Sequence, residues 1–132
     1  AMRLYPPAWL ITRKALDEDE IGGYTIPRGA LVVTSPYVTQ RMPGLWPEPD
    51  AFRPERFGPE ESAGRPRFAY YPFGGGPRMC IGSGFATVEA SLIIATVAQR
   101  YILRPEPGHP VVVEAGVTLR PKHGLKMRLQ GR

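Results

Sequence analysis

The stretch from Tyr71 to Gly84 reads YPFGGGPRMCIGSG and contains the only cysteine of the chain, Cys80. Three consecutive glycines and a proline precede this cysteine, so the backbone can bend sharply and lie close to a flat ligand without Cβ clashes. Residues 83–100 hold no proline and one glycine, which predicts a helix that begins close to Cys80. The positive end of that helix would favour a thiolate at Cys80 over a thiol.

Five residues of this stretch match the pattern F-x-x-G-x-R-x-C-x-G at every spacing. They are Phe73, Gly76, Arg78, Cys80 and Gly82. The pattern resembles the haem-binding signature of the cytochrome P-450 family. The resemblance implies that Cys80 is the axial thiolate ligand of haem b (iron protoporphyrin IX), and so the metal ligand of the chain. It places the other signature residues, together with Gly74, around the cofactor.

Two further motifs extend the resemblance over the chain. Arg3 and the proline pair after it look like the close of the family's E-x-x-R helix, whose glutamate would fall one residue before Ala1. Pro54–Phe57 matches the family's P-E-R-F element, in which Arg56 completes a buried Glu-Arg-Arg cluster with Arg3. We therefore expect Arg3 and Arg56 to be structural.

The resemblance also assigns residues to the propionates and to the substrate. Arg13 would reach a haem propionate, and its planar fork suits a carboxylate because it can donate two parallel hydrogen bonds. Gln40 stands where many relatives have a histidine near a propionate, so that contact is not carried over. The expected substrate-lining residues belong to two short apolar segments. They are Ala8, Trp9, Leu10, Ile11, Val117 and Thr118.

Sequence patterns predict an α+β fold, and the resemblance implies the C-terminal part of the P-450 fold. A small β-meander, a short helix, a proline-rich coil, an exposed loop, the cysteine loop, one long buried helix and short closing strands are expected in this order. Their approximate ranges are 8–34, 36–42, 43–59, 60–67, 71–82, 83–100 and 102–129. Trp46, Phe52 and Phe57 are expected in the core. Residues 1–132 would form one partial haem-binding domain without separate domains.

Composition limits the function classes. The chain has 17 basic and 12 acidic residues, a net charge of +5, but the basic residues are spread along the chain, which argues against a nucleic-acid module. No apolar run approaches the ~20 residues that span a bilayer. The chain begins Ala-Met-Arg, and we expect it to be a piece of a longer protein. Localisation stays open: cytoplasmic for a soluble bacterial-type parent, membrane-anchored if an N-terminal anchor precedes these residues.

The resemblance implies a haem-thiolate monooxygenase that inserts one oxygen atom from O2 into a small apolar organic substrate. Electrons would come from NAD(P)H through a ferredoxin, a flavodoxin or a reductase. The isolated 132 residues are expected to be inactive, with no catalytic residue beyond the axial ligand.

Other interpretations of Cys80 remain open from the residues alone. It could be an inert buried cysteine, or a nucleophile served by His109 or His123. A phosphate-binding loop is disfavoured because Met79 stands where G-x-G-x-x-G needs its last glycine. The chain as a whole could also be a non-catalytic fragment or binding module.

Overall fold

Short strands and one long helix make up the regular structure of the chain, which the computed structural model describes from residue 1 to residue 132. The chain divides into two compact units, Ala1–Gly74 and Gly75–Arg132. No helix combines the length and the mean hydropathy that a membrane span requires.

Four strands open the first unit. β1 (Ile11–Lys14), β2 (Asp19–Ile21), β3 (Tyr24–Ile26) and β4 (Leu31–Thr34) form two antiparallel pairs, β1 with β4 and β2 with β3. In the outer pair, Ile11 lies opposite Thr34 and Lys14 opposite Leu31. The strands of the expected meander are therefore present, but they form two separate ladders.

The run of four acidic residues at 17–20 predicts a turn from the sequence, but Asp19 and Glu20 lie in β2, so that prediction is wrong for these two residues. Acidic residues are rare in strands, which is why this segment reads as a turn. Gly22 and Gly23 take positive φ values of 59° and 82°, which allow a tight hairpin that pairs β2 with β3.

Short helical turns and coil complete the first unit. α1 (Pro36–Thr39) begins at Ser35, whose Oγ accepts a hydrogen bond from Val38 N. A 3-10 turn, Pro54–Phe57, precedes α2 (Pro59–Ser62), and another, Arg67–Ala69, follows it. The helix α2 lies in the expected exposed loop, where Pro59 at its first position supplies a helical φ.

Trp46 lies in the core of the first unit, as the sequence predicts. It is 1% exposed, and its Nε1 donates to Ala69 O at 3.0 Å. The prediction of core positions for Phe52 and Phe57 is wrong, because their exposures are 67% and 46%. Phe57 lies at the edge of the aromatic cluster, with its ring centroid 5.0 Å from that of Tyr70.

The second unit is built on the predicted helix. α3 spans Ser83–Arg100 and is followed by β5 (Tyr101–Pro105), β6 (Val113–Ala115), β7 (Leu119–Pro121) and β8 (Met127–Gly131). β5 pairs antiparallel with β8, and β6 with β7. These four strands are the expected closing strands.

The predicted burial of α3 does not hold in the structure. No residue of this helix is buried, and Phe85, for example, is 74% exposed. The expectation came from apolar residues on most sides of the helix, whereas within its own unit α3 contacts the strand that follows it, β5. An apolar surface of this kind is typical of an interface.

Candidate functional site

Glycines with positive φ shape the loop that leads to Cys80. Gly74 has a φ of 76°, and its N–H donates to Tyr71 O at 2.9 Å, which closes a turn at the end of the first unit. Gly76 has a φ of 70° and opens the 3-10 turn Gly76–Arg78, where Met79 N donates to Gly76 O at 3.0 Å. Other residues rarely adopt these φ values, so both turns favour glycine.

Cys80 lies directly before the long helix. Its thiol is free and exposed, and Cys80 O accepts a 3.4 Å hydrogen bond from Ser83 N, the first residue of α3. Gly82 is the N-cap residue of α3, and its O accepts a bond from Ala86 N. The sulfur therefore lies near the helix end at which main-chain N–H groups are unsatisfied, an environment that stabilises negative charge.

The absence of a side chain at Gly82 leaves space beside the sulfur. A Cβ built on Gly82 would lie 3.8 Å from Cys80 Sγ, an ordinary van der Waals distance. Any atom beyond that Cβ would compete for the same space. The side of Cys80 Sγ that faces Gly82 is therefore free of side-chain atoms from that residue.

The donor set fits haem better than a bare metal ion. No group of three or more His, Cys, Asp or Glu side chains is arranged to hold a metal. A haem iron is already held by its macrocycle, and one cysteine sulfur can complete its protein ligation. The exposed sulfur and the adjacent glycines therefore fit this group.

The structure gives no support to a Cys80 nucleophile. Such a residue needs a base within hydrogen-bond reach. His109 Nε2 bonds to Gly124 O at 3.1 Å, and no hydrogen bond joins Cys80 to His109 or to His123.

The two predicted propionate ligands, Arg13 and Arg78, are exposed on their separate units. Nη1 of Arg13, in β1, donates to Thr12 O at 3.0 Å. Neither arginine forms an ion pair with a residue of this chain. Both keep guanidinium donors for a ligand.

The predicted substrate-lining residues fall into one group on each unit. In the first, Ala8 and Leu10 are exposed, Trp9 and Ile11 are half-buried, and a Cβ on Gly74 would lie 3.6 Å from Ile11 Cδ1. Ile11 is thus the residue of this group that lies beside the glycine turn. In the second unit, Val117 is fully exposed and lies with Thr118 in the turn between β6 and β7.

Arg3 and Arg56 are buried without a carboxylate partner. Their exposures are 4% and 3%, and Arg3 donates to the carbonyls of Gln40, Pro49 and Ala51 at 2.6–2.9 Å. Arg56 Nη2 donates to a main-chain carbonyl at 2.9 Å, but its Nε is buried and has no partner. Burial lowers the pKa of Arg3, and the nearby Arg56 lowers it further. An anion placed beside two buried guanidinium groups of this kind would strongly stabilise their charged forms.

Cavities border both arginines. Arg3 lines one of about 80 Å³ together with Ala1 and Phe52. Arg56 lines another of about 320 Å³ beside Trp46. Each arginine therefore borders a cavity of its own.

Sequence reasoning missed the structural role of Gln40 and Thr39. Gln40 is 0% exposed, and its side chain bonds to main-chain groups of Met2, Arg3 and Tyr71. Thr39 Oγ1 lies 2.9 Å from the hydroxyl of Tyr71. A lone polar residue at the end of a short helix carries no sequence signal for this role.

Comparison with known proteins gives consistent matches. The family model described as Cytochrome P450 matches residues 1–127. Cyclooctatin synthase of Streptomyces melanosporofaciens is 48% identical over 108 residues, which are 82% of this chain and 24% of that protein. Cyclooctat-9-en-7-ol 5-monooxygenase of the same organism is 42% identical over 108 residues, with the same coverage.

Among solved structures, retinoic-acid-bound cyanobacterial CYP120A1 aligns with a TM-score of 0.94 and 33% identity, over 99% of this chain and 30% of that chain. This alignment confirms the predicted fold class. The chain spans about a quarter of the length of the two curated relatives.

Proposed function

The chain belongs to the cytochrome P450 family, and from this premise we propose that it forms the haem-binding C-terminal part of a monooxygenase. Its reaction would insert one oxygen atom from O2 into a small apolar organic substrate. The observation that carries this proposal is the exposed Cys80 thiol directly before α3, within a loop whose glycines leave room for a flat cofactor.

The cofactor of this family is haem, which with a thiolate ligand supplies the activation of O2. The chain's own residues would supply the setting. Cys80 Sγ is the ligand atom, and the first N–H groups of α3 stabilise its negative charge. Gly74 and Gly76 let the main chain approach the macrocycle, and Gly82 keeps the side of the sulfur clear. Phe73 and Arg78 are assigned to the cofactor by the signature.

We propose that Arg13 contacts a haem propionate, and independently that Arg78 does so. The support is the family position of each residue and its exposed guanidinium, which forms no ion pair within the chain. Replacing either arginine by leucine should weaken haem retention on the order of tenfold, about 1.4 kcal/mol. Arg28→Leu is the control, because Arg28 is an exposed arginine paired with Asp17 at 3.6 Å and outside the signature. Equal haem retention in all three variants would contradict these contacts.

The cluster of Arg3 and Arg56 would be completed by a glutamate one residue before Ala1. The unpartnered Arg56 Nε and the cavity that Arg3 and Ala1 line support this assignment. The role is structural, since a carboxylate between two guanidiniums would hold residues 54–57 against the turn at Arg3.

The remaining assignments concern ligands and partners. Ala8–Ile11 and Val117–Thr118 would contact substrate. Electrons would reach the haem from NAD(P)H through a ferredoxin, a flavodoxin or a reductase, and no nucleic-acid partner is expected. One relative is named as a monooxygenase, which supports the reaction class. Cytoplasmic and membrane-anchored parents both remain compatible with these assignments.

The experiment uses the full-length protein, meaning residues 1–132 with whatever natural sequence adjoins them. Haem stoichiometry is measured first, and donor-dependent consumption of isotopically labelled O2 is then coupled to product analysis. One labelled oxygen atom per product molecule supports the proposal. Haem binding without product from a panel of apolar substrates and electron donors favours a non-catalytic binding module instead.

The same assays on residues 1–132 alone test whether this part is inactive and whether it folds as one haem-binding domain. We expect little haem and no turnover, because the arginine pair lacks its carboxylate and α3 exposes its apolar side chains. Stoichiometric haem with product formation would overturn this expectation.

A further inference from the structure

Gln40 joins two segments that are far apart in sequence. Its Nε2 donates to Met2 O at 3.2 Å and to Arg3 O at 3.0 Å, while its Oε1 accepts from Tyr71 N at 2.9 Å. The side chain is 0% exposed, so water does not compete for these bonds. The two N–H groups and the carbonyl oxygen of the Gln40 side-chain amide therefore all form hydrogen bonds.

Thr39 holds the same tyrosine at its other end. Its Oγ1 lies 2.9 Å from the hydroxyl of Tyr71, and the edge of the Tyr71 ring also meets Phe68, with centroids 6.3 Å apart. Gln40 thus fixes the main-chain N–H of Tyr71, and Thr39 fixes its phenol. We name Thr39, Gln40 and Tyr71 the tyrosine clamp.

The clamp lies where the cysteine loop begins. Tyr71 O accepts the hydrogen bond from Gly74 N that closes the first glycine turn, so both main-chain polar groups of Tyr71 are used. Cys80 follows nine residues later in the sequence. The turn from Tyr71 to Gly74 is therefore anchored at its first residue, at the start of the loop that carries Cys80.

We propose that Gln40 and Thr39 are positioning residues for the cysteine ligand, acting through Tyr71. The inference rests on the proposed function, since it assigns a purpose to the geometry of a haem ligand. Gln40 suits the task because a neutral amide both donates and accepts, and keeps doing so at any pH at which the protein folds. Loss of the acceptor would leave the partly buried Tyr71 N–H without its hydrogen-bond partner.

The test uses the full-length protein and two pairs of variants. Gln40→Met keeps the length of the side chain and removes its donors and acceptor. Thr39→Val keeps the shape and removes the hydroxyl, while Thr39→Ser restores it. Trp46→Phe is the matched control, since it weakens the core of the same unit through the loss of the bond to Ala69 O and leaves the tyrosine clamp intact.

Two measurements are made well below the unfolding temperature. Hydrogen exchange at the Tyr71 amide should accelerate on the order of tenfold in Gln40→Met, because its acceptor is gone, and remain slow in Trp46→Phe. In the reduced, carbon-monoxide-bound protein, the fraction with a thiolate-type Soret band should fall in Gln40→Met and Thr39→Val. It should stay at the wild-type level in Trp46→Phe and recover in Thr39→Ser.

The outcomes separate this inference from the proposed function. Unchanged exchange at Tyr71, or a loss of the thiolate band that merely follows the unfolded fraction in all variants, overturns the inference. A wild-type protein that binds haem without a thiolate-type band defeats the proposed function and with it the ligand-positioning role. In that case, faster exchange in Gln40→Met would leave Gln40 with a structural role alone.

Discussion

Arg3 and Gln40 exchange hydrogen bonds across 37 residues of sequence: Arg3 Nη1 donates to Gln40 O at 2.8 Å, and Gln40 Nε2 donates to Arg3 O at 3.0 Å. Each side chain thus satisfies the other residue's main-chain carbonyl. The bonds connect the turn that carries Arg3 to the segment that fixes Tyr71. The E-x-x-R element at Arg3 and the start of the cysteine loop at Tyr71 are separate motifs in the sequence. In the first unit, one polar network through Gln40 joins them.

Arg56→Ala should destabilise the full-length protein by roughly 3–5 kcal/mol, the cost of breaking a buried charge pair. The physical reason is that Arg56 is 3% exposed and its removal would leave the expected carboxylate beside Arg3 without its second partner. The free energy of unfolding and the yield of haem-loaded protein measure the effect. Arg56→Lys should not restore it, because lysine lacks the planar fork.

Arg53→Ala is the control for Arg56. Arg53 pairs with Glu48 and Glu61 on the surface, so its loss should cost about 1 kcal/mol or less. Normal stability and altered substrate preference in Arg56→Ala would refute the structural role of Arg56.

Gly76→Ala should destabilise the loop by about 1–2 kcal/mol, because Gly76 has a φ of 70° and a Cβ is strained there. No atom lies within 4 Å of the position of that Cβ, so the effect isolates backbone strain from steric contact. Gly84→Ala provides the opposite control. Gly84 lies within α3, also with open space, and alanine should stabilise the helix by about 1 kcal/mol.

Denaturant unfolding of the two variants measures both effects: the free energy of unfolding should fall in Gly76→Ala and rise in Gly84→Ala. Equal stability of Gly76→Ala and wild type would show that the turn before Cys80 does not need its left-handed residue.

Acid should weaken the pairing of β5 with β8. Two hydrogen bonds of 2.5 Å from Arg128 lower the pKa of Glu106, which follows β5 directly. A lowered pKa in the folded protein means that the pair contributes stability above the ordinary pKa of glutamate. This contribution is lost as the pH falls through the lowered value. The pair is exposed, so salt should screen it.

An NMR titration of the Glu106 carboxyl measures this pKa directly. Arg128→Gln should return it toward its ordinary value, whereas Arg120→Gln, which breaks the separate pair with Glu114, should not. An identical Glu106 titration in wild type and Arg128→Gln would show that the hydrogen bonds are not formed in solution.

Substitution of Trp9 or Val117 should alter the product profile of the full-length enzyme. Both residues lie in segments assigned to substrate, and the fully exposed Val117 has no packing role in its own unit. Val117→Phe and Trp9→Leu should change the ratio of products by several-fold, because one methylene in an apolar pocket is worth about 1–3 kcal/mol. Val33→Leu, on an exposed position of β4, is the control.

Product ratios and unfolding midpoints are measured together. Variants that lower the midpoint and leave the product ratio constant would mean that these segments pack and do not select substrate.

Local sequence signals predicted much of the fold. The absence of proline over residues 83–100 gave the bounds of α3, and β3 was found from its β-branched and aromatic residues. The strand β2 was missed because pairing across a Gly-Gly turn overrides the low strand propensity of acidic residues. Composition could identify the apolar side chains of α3, but not what lies against them, so the predicted burial was wrong.

In the candidate site, too, some features could be predicted from the sequence and others could not. Fixed spacing identified the cysteine loop, and the structure adds the positive φ values that explain Gly74 and Gly76. Gln40 could not be predicted, because its value comes from three main-chain partners that only the folded chain brings together. Burial of polar side chains is a tertiary property, and a single sequence carries little trace of it.

The proposed haem ligand of this chain is the thiolate of Cys80. The most direct measurement is the reduced, carbon-monoxide-bound spectrum of the full-length protein beside that of Cys80→Ser, with Ser83→Ala as a control one residue past the signature. We predict a thiolate-type Soret band in wild type and Ser83→Ala and its complete loss in Cys80→Ser, because serine provides no sulfur. A Soret band at the ordinary imidazole-ligated position in wild type, or the same spectrum in Cys80→Ser, would contradict the claim.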